Sequence, residues 1–305
     1  MPARGFFGYA SILCATITWA TSGIFIKLII LRSGMSEISL AFWRDSMTCA
    51  LLFLSLLVFR PSMLRIRRED IKYFAGLGCL GLGTFHVMWN YSAMINGVAV
   101  STVQQAIMPV ILAVAARFVF AEPFTLRKSA ALVLTLGGTV LISGLLSSRR
   151  GPGGVIGLLV GLAVPATYAL YNLFSKQVTG RYHFLTVLTY GFGFATLVLI
   201  PARLVTASPV PFAWETALFV AGLVLVSTIF PFAVYTFTLR RFQVSLAGIM
   251  SMSEIPFAFL YAFLVFGESL TPLQYAGTVI IIGGVLLCIR FRPLREKPSR
   301  RQGRG

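Results

Sequence analysis

Charged residues are scarce in this sequence. Of its 305 residues 11% are charged, against about 25% in a soluble globular domain, and 57% are hydrophobic. The 26 basic and 9 acidic side chains are too few to coat a soluble body of this length, which excludes an ordinary soluble enzyme and makes the bilayer the solvent. Cysteine is equally sparse. Cys14, Cys49, Cys79 and Cys288 each lie inside an apolar run without C-x-x-C spacing. They read as small buried hydrophobes, not as a disulfide framework or metal site. The sequence also lacks a Gly-rich phosphate loop, an H-E-x-x-H pair, a Ser-His-Asp array and a Walker lysine, so no catalytic residue, cofactor or metal is expected, and no coupling to ATP within the chain.

What remains is a succession of apolar stretches. Ten separate at charged, Pro-containing or Gly-rich breaks, at about 8–31, 37–59, 71–93, 98–120, 127–146, 153–175, 184–206, 214–238, 243–266 and 271–289. Each approaches the roughly 20 residues a membrane helix needs. Ile95-Asn96-Gly97 is a turn signal that divides the third from the fourth. The first stretch is too long for a signal-peptide core and reads as a retained span.

The net charge of +17 sits in the connections and the C-terminal tail, which points to membrane orientation and away from a nucleic-acid partner. With the N-terminus inside, 20 Lys and Arg fall on the cytoplasmic side. Four fall outside (Arg32, Arg149, Arg150 and Arg203), and Lys27 and Arg44 lie within spans. Both termini are therefore expected in the cytoplasm.

The two halves repeat each other. Trp19-Ala20 followed by Lys27 recurs as Tyr168-Ala169 followed by Lys176; Tyr91 with Ser101 recurs as Tyr235 with Ser245; Glu122 with Gly137-Gly138 recurs as Glu268 with Gly283-Gly284. The shifts of 149, 144 and 146 residues differ only by small gaps. Five spans per copy is odd, so the second copy enters the membrane from the opposite side. The expected fold is all-α and integral to the membrane, with ten transmembrane helices as two inverted five-helix repeats, at 1–148 and 149–290, followed by a basic tail at 291–305.

These residues carry a family resemblance. The Trp19-Ala20 to Lys27 opening, Arg44 in the second span, the stretch from Pro109 to Glu122 followed by Gly137-Gly138, and Phe266-Gly267-Glu268 in the second copy resemble the EamA-type repeat of the drug/metabolite transporter superfamily, over about residues 8 to 290. The resemblance implies ten helices, cytoplasmic termini, a plasma (inner) membrane location and the movement of small metabolites, often the export of amino acids or related compounds. One departure is that the second copy usually reads Glu-Pro, whereas this chain has Glu254-Ile255-Pro256.

Charged side chains at mid-bilayer cost about 2.5 to 3.5 kcal/mol, so those present are informative. Arg44 is read either as a buried structural cation or as the anchor of a substrate carboxylate. Asp45, about 100° around the helix, is not expected to be its sole partner. Glu254, beside Pro256, is a candidate for proton coupling together with Asp45, the alternative being a hydrogen-bonded structural acid. His86, Asn90 and Tyr91 in the third span, Gln104 in the fourth, and Tyr168 and Asn172 in the sixth are candidates to line a substrate cavity or to bond helices together. The repeat directs Trp19 and Tyr168 toward the centre, where they would stack on a ligand. Lys27 and Lys176 sit near span ends and read as structural. Gly153, Gly157 and Gly161 make a smooth helix face for close packing, with sliding or a homodimer contact as alternatives.

The function expected is secondary transport of a small polar metabolite, with export by alternating access and proton coupling as the leading expectation. An uncoupled facilitator or exchanger is the nearest alternative. A membrane enzyme would want clustered acids or histidines, and a receptor subunit would not need polar residues at mid-depth in both halves.

Overall fold

The structure is a computed structural model that describes residues 3–96, 98–142, 154–206, 213–267 and 271–289. Among these residues regular structure is entirely helical. The helices are α1 (Ala3–Trp19), α2 (Ser22–Ser33), α3 (Glu37–Phe59), α4 (Ile71–Ala75), α5 (Thr84–Asn96), α6 (Val98–Gln105), α7 (Met108–Val119) and α8 (Leu126–Ile142). They continue with α9 (Gly154–Thr179), α10 (Phe184–Val205), α11 (Trp214–Val224), α12 (Phe230–Leu239), α13 (Val244–Ser251), α14 (Glu254–Phe266) and α15 (Pro272–Ile289). Among the described residues seven helical runs are long and apolar enough to cross a bilayer: 7–33, 37–59, 100–119, 155–179, 184–205, 214–239 and 244–266. The chain is a multi-pass membrane protein.

Several of these runs are interrupted in mid-course, and local chemistry says why. α1 gives way to α2 at Ala20-Thr21, α6 to α7 at Ala106-Ile107, and α13 to α14 at Met252-Ser253. The last two breaks precede Pro109 and Pro256, which lack an N–H and so sit in the first turn of the following helix, where none is needed. The break therefore comes before Pro256, and Glu254 begins a helix. Pro165 and Pro201 lie within unbroken helices. Two further runs loosen into π-helix, at Gly76–Gly83 between α4 and α5 and at Leu225–Ile229 between α11 and α12. In each, a threonine hydroxyl donates to the carbonyl five residues back, Thr84 to Cys79 at 2.6 Å and Thr228 to Leu223 at 2.8 Å, satisfying an acceptor that hydrocarbon cannot.

Packing follows small residues. α8 and α15 lie against each other over most of their length. A Cβ on Gly138 would stand 2.7 Å from the Gly277 carbonyl, and one on Gly284 would stand 2.8 Å from Thr135, whereas Gly137 and Gly283 face open space. The second glycine of each repeated pair is thus the one that admits the partner helix. Gly157 and Gly161 on α9 receive the Asn96 and Gln104 side chains; Gly153 lies outside the described residues. α3 packs on α10, α9 on the first π segment, α5, α6 and α7, and α1 on α12, α13 and α14. The cysteines correct an expectation: Cys288 is buried, but Cys49 and Cys79 are half-buried and Cys14 is exposed.

Two clasps close opposite ends of the bundle. Arg181, after α9, pairs with buried Asp70, which also accepts from the Tyr182 hydroxyl at 2.6 Å, and its guanidinium lies 5.5 Å from the Tyr73 ring. Burial, then the bond to Asp70, holds the Tyr182 phenol above its ordinary pKa, so it remains a donor. At the other end Arg32 pairs with Glu215 at 3.5 Å and lies 5.0 Å from the Phe219 ring.

α7 ends with Ala121 at φ +53°, where the Glu122 N–H reaches back to the Ala116 carbonyl at 3.2 Å. Its counterpart after α14 is Gly267 at φ +67°. A left-handed alanine costs roughly 1–2 kcal/mol, which glycine avoids. Ala121→Gly should therefore raise the melting temperature in detergent, corresponding to about 0.5–1 kcal/mol after glycine's entropy is counted, and Gly267→Ala should lower it. A lower melting point for Ala121→Gly would show that the turn is held by something other than backbone preference.

Candidate functional site

The interruptions converge, and the polar residues converge with them. Thr16, near the end of α1, is hydrogen-bonded to Ser253 at the α13–α14 break, 2.9 Å between hydroxyls. Thr21, at the α1–α2 break, meets Ser227 in the second π segment at 2.6 Å. The Tyr235 hydroxyl on α12 donates to Asn172 Oδ1 on α9 at 2.6 Å, while Asn172 Nδ2 donates to the Tyr168 carbonyl at 2.8 Å and lies 4.0 Å from Met108 Sδ at the α6–α7 break. Hydroxyl and amide groups thus bridge each helix interruption to a neighbour, as a bilayer interior requires.

Aromatic rings fill the space between them. The Trp19 ring centre is 4.9 Å from that of Phe232, edge to face, and 5.0 Å from that of Tyr235. Tyr168 stacks on Phe85 at 4.5 Å with 20° between planes. Trp19 and Tyr168 both lie in this core, and the Trp19 indole N–H is buried with no hydrogen-bond partner among the described residues. Such a donor is uncommon in a protein interior. Glu254 opens α14 at the edge of the same cluster, half-buried and close enough to Tyr168 to act on it electrostatically. Among the described residues it takes part in no ion pair.

Arg44, Asp45 and His86 form a second polar group, joined to the first through Phe85. Arg44 Nε donates to Asp45 Oδ1 at 3.1 Å, and Arg44 Nη2 lies 2.6 Å from His86 Nε2. His86 Nδ1 lies 2.7 Å from Asp45 Oδ2. A guanidinium can only donate, so His86 Nε2 is the acceptor and Nδ1–H donates to Asp45. The geometry fixes a neutral tautomer between an arginine cation and a fully buried carboxylate. Arg44 and Asp45 do touch, and each has His86 as its further partner.

The remaining candidates divide. Asn90 is buried and donates to the His86 carbonyl at 2.9 Å, and Tyr91 is half-buried outside this network. Gln104 Oε1 accepts from Ser92 at 2.8 Å, and Asn96, bonded to Ser92 and to the Gly157 carbonyl, completes a polar seam between α5, α6 and α9. Gln104 is occupied in bonding helices. Sequence reasoning missed Thr16, Ser253 and Ser227, whose small hydroxyls carry no signal until the helices are placed, and Phe85 and Phe232, which are two among 26 phenylalanines. A separate cavity of roughly 520 Å3 between α3 and α11, lined by Met35, Trp43, Met47, Val220 and Leu225, is almost wholly apolar and offers room for an acyl chain but little to hold a polar solute.

A bundle of broken membrane helices with hydroxyl, amide, carboxyl and aromatic groups gathered at the breaks defines a membrane transporter. The profile of the EamA-like transporter family matches residues 6–144 and again 155–290, and the chain belongs to that family. It is 24% identical over 93% of its length to an uncharacterized transporter of Archaeoglobus fulgidus, covering 97% of that protein. It is 23% identical to a probable terminal-alkyne amino-acid exporter of Streptantibioticus cattleyicolor, covering 96% of this chain and 97% of the relative. An uncharacterized inner membrane transporter of Salmonella typhimurium is 24% identical, over 92% and 94% of the two chains. One crystal structure, described only as that of a protein, shares the fold with a TM-score of 0.79 at 18% identity, over 92% of this chain and 95% of its own.

Breaking a buried pair strands a charge at a cost of about 3–5 kcal/mol, whereas losing a neutral hydrogen-bond partner costs about 1–3 kcal/mol. Asp45→Asn, which leaves Arg44 uncompensated, should therefore lower the melting temperature in detergent more than His86→Gln. Equal losses would show that the Arg44 charge is balanced elsewhere.

Proposed function

We propose that the chain is a secondary transporter that exports a small polar metabolite, an amino acid or related compound, by alternating access between two inverted five-helix copies at 1–148 and 149–290. The observation that carries this reading is the packing of α7, which starts at one break, on α13, which ends at the other 146 residues on, near an aromatic cluster whose Trp19 indole N–H has no hydrogen-bond partner among the described residues. Discontinuous helices of this kind hold substrate and coupling ion near the membrane midplane in transporters built from inverted repeats.

Inversion is supported by features that recur at the shifts seen in sequence. The π segments and their threonine bonds recur, Thr84 with Thr228. The clasps recur residue by residue, Arg32 with Arg181, Glu215 with Asp70, Phe219 with Tyr73, at opposite ends of the bundle. Helix contacts recur too. The pairing of α9 with the run from Gly76 to Asn96 has its counterpart in α1 and α2 with α11 and α12, while α3 with α10, α7 with α13 and α8 with α15 exchange into themselves. Ten spans with both termini cytoplasmic, in the plasma (inner) membrane, follow from this reading together with the 20 to 4 distribution of basic residues. The 291–305 tail and Arg149 and Arg150, which contribute to that count, lie outside the described residues.

Within the site Arg44 is the anchor for the substrate's negative group, held in place by Asp45 and His86, with Trp19, Asn90, Tyr91, Tyr168 and Asn172 around the remainder, and Gln104 at the wall. Glu254 carries the coupled proton, with Asp45 adjusting the Arg44 group. The name of the Streptantibioticus relative supports an amino-acid substrate and export.

Proteoliposome flux with a panel of labelled amino acids, with and without a pH gradient, tests the reading. Gradient-driven accumulation should vanish in Glu254→Gln while substrate counterflow persists. Accumulation unchanged in that variant would place coupling elsewhere, and flux indifferent to the gradient in the parent would favour an uncoupled facilitator. Arg44→Lys keeps the charge but loses the planar fork, so it should weaken binding of a carboxylate substrate by about tenfold or more and leave an analogue without the carboxylate unaffected. A reporter active only in the cytoplasm should be active when fused after residue 298 and silent at Ser148; activity at Ser148 would sink the ten-span topology.

A further inference from the structure

The helices sort into two groups by what they pack against. α9 packs on the run from Gly76 to Asn96 and on α6 and α7, while α1 and α2 pack on α11, α12, α13 and α14. The groups meet where α12 and α13 pack on α9 and α7, and at the reversal between α12 and α13, residues Arg240–Gln243, charged side chains from outside the second group hold its backbone. Lys176 Nζ, near the end of α9, donates to the Phe242 carbonyl at 2.7 Å and to the Leu239 carbonyl. Glu122, just past α7, accepts from the Val244 N–H at 2.7 Å, from the Ser245 N–H at 3.3 Å and from the Ser245 hydroxyl. Lys128 on α8 lies 3.5 Å from Glu122 Oε2 and donates to Ser245 Oγ at 2.7 Å.

The placement matches the helix ends. A cation sits on the carbonyl that ends α12 and on one just beyond it, and an anion sits on the N–H groups that open α13, where the backbone has no intrahelical partners of its own. Glu122 is 5% exposed and Lys128 1%, so these are charge-assisted bonds shielded from water. The left-handed turn at Ala121 aims Glu122 at the reversal. Lys27 is the repeat counterpart of Lys176. It is exposed, and its Nζ lies 4.1 Å from the centre of the Phe266 ring, inside its own helix group.

We infer that Glu122, Lys128 and Lys176 are a latch that holds the two helix groups together at the α12–α13 end, and that the chain must release it to open its central site toward that side. The inference rests on the alternating-access reading, in which this is the cytoplasmic side. Release frees the Leu239 and Phe242 carbonyls and the Val244 and Ser245 N–H groups, which then need water, so latch opening and water entry are one event.

Spin-label distances in the full chain test it without any substrate, so failure of the latch is distinguishable from failure of the transport assignment. With the four native cysteines replaced, one label pair at positions 180 and 241 reports the latched end. A second pair at positions 31 and 94 reports the other; all four positions are exposed. The parent should show one narrow, short distribution at 180/241. Glu122→Gln and Lys176→Gln should each raise the long-distance population there about tenfold, as loss of a charge-assisted hydrogen bond would, with the 31/94 distance shortening in step. Lys176→Arg should keep the parent pattern. If the neutral variants do not fold, Glu122→Asp, whose shorter carboxylate cannot hold both N–H groups, should shift a smaller fraction in the same direction. An unchanged 180/241 distance in the folded variants, or broadening of both pairs together, overturns the latch.

Discussion

Hydrocarbon offers nothing to a peptide group that has lost its helical partner, and this chain interrupts its helices at Ala20-Thr21, Ala106-Ile107 and Met252-Ser253 and loosens two more into π-helix. Each unsatisfied group would cost several kcal/mol in lipid, so the interruptions must lie inside and be bonded. Thr16 to Ser253, Thr21 to Ser227 and the two threonines of the π segments meet that demand directly. The interior polar cluster is thus forced by the backbone before any ligand is considered, and it is also what a polar solute would need on its way across.

The same constraint explains why the glycines lie where they do. Helices joined by short hydroxyls must come close, and Gly81 on the first π segment puts its missing Cβ 2.7 Å from the Tyr171 backbone, while Gly138 and Gly284 do the same service between α8 and α15. Side chains at these points would hold the helices apart and leave the breaks unbonded. Close packing of small residues and satisfaction of the interrupted backbone are therefore one requirement seen from two sides.

Much of this was legible in the sequence. The apolar stretches, the reversal at Ile95-Asn96-Gly97, the repeat shifts near 146 and the unusual depth of Arg44, Asp45, His86 and Glu254 follow from composition and periodicity, because lipid penalises charge and unpaired backbone wherever they occur. Partnerships were less legible. Arg44, Asp45 and His86 come together from two helices whose relative rotation no single-sequence pattern fixes. The α13–α14 break was not read at all, since 243–266 stands as one apolar stretch; the chain turns at Met252-Ser253, ahead of Pro256, because a proline favours the first turn of a helix over its interior. Glu122 drew notice only as a repeat marker, since its carboxylate meets backbone N–H groups 122 and 123 residues away, and backbone donors leave no trace in side-chain spacing.

Three interior acids can be ranked by what compensates them. Asp45 is fully buried but lies between Arg44 and His86, so its charge is balanced in place. Glu122 is balanced by Lys128 and by the open end of α13, which makes it a fastener whose strength depends on two helix groups staying together. Glu254 stands at the head of α14, near enough to Tyr168 to act on it electrostatically, with no ion pair among the described residues and with the helix dipole to favour its charge. An acid held by fixed cations gains little from a visiting cation or proton, whereas one compensated only by a helix end changes its energy most when a proton or a positively charged group arrives. That argument supports the proposed role of Glu254 as carrier of the coupled proton, with the Asp45 and Glu122 groups as the rigid surroundings against which its change of charge would be felt.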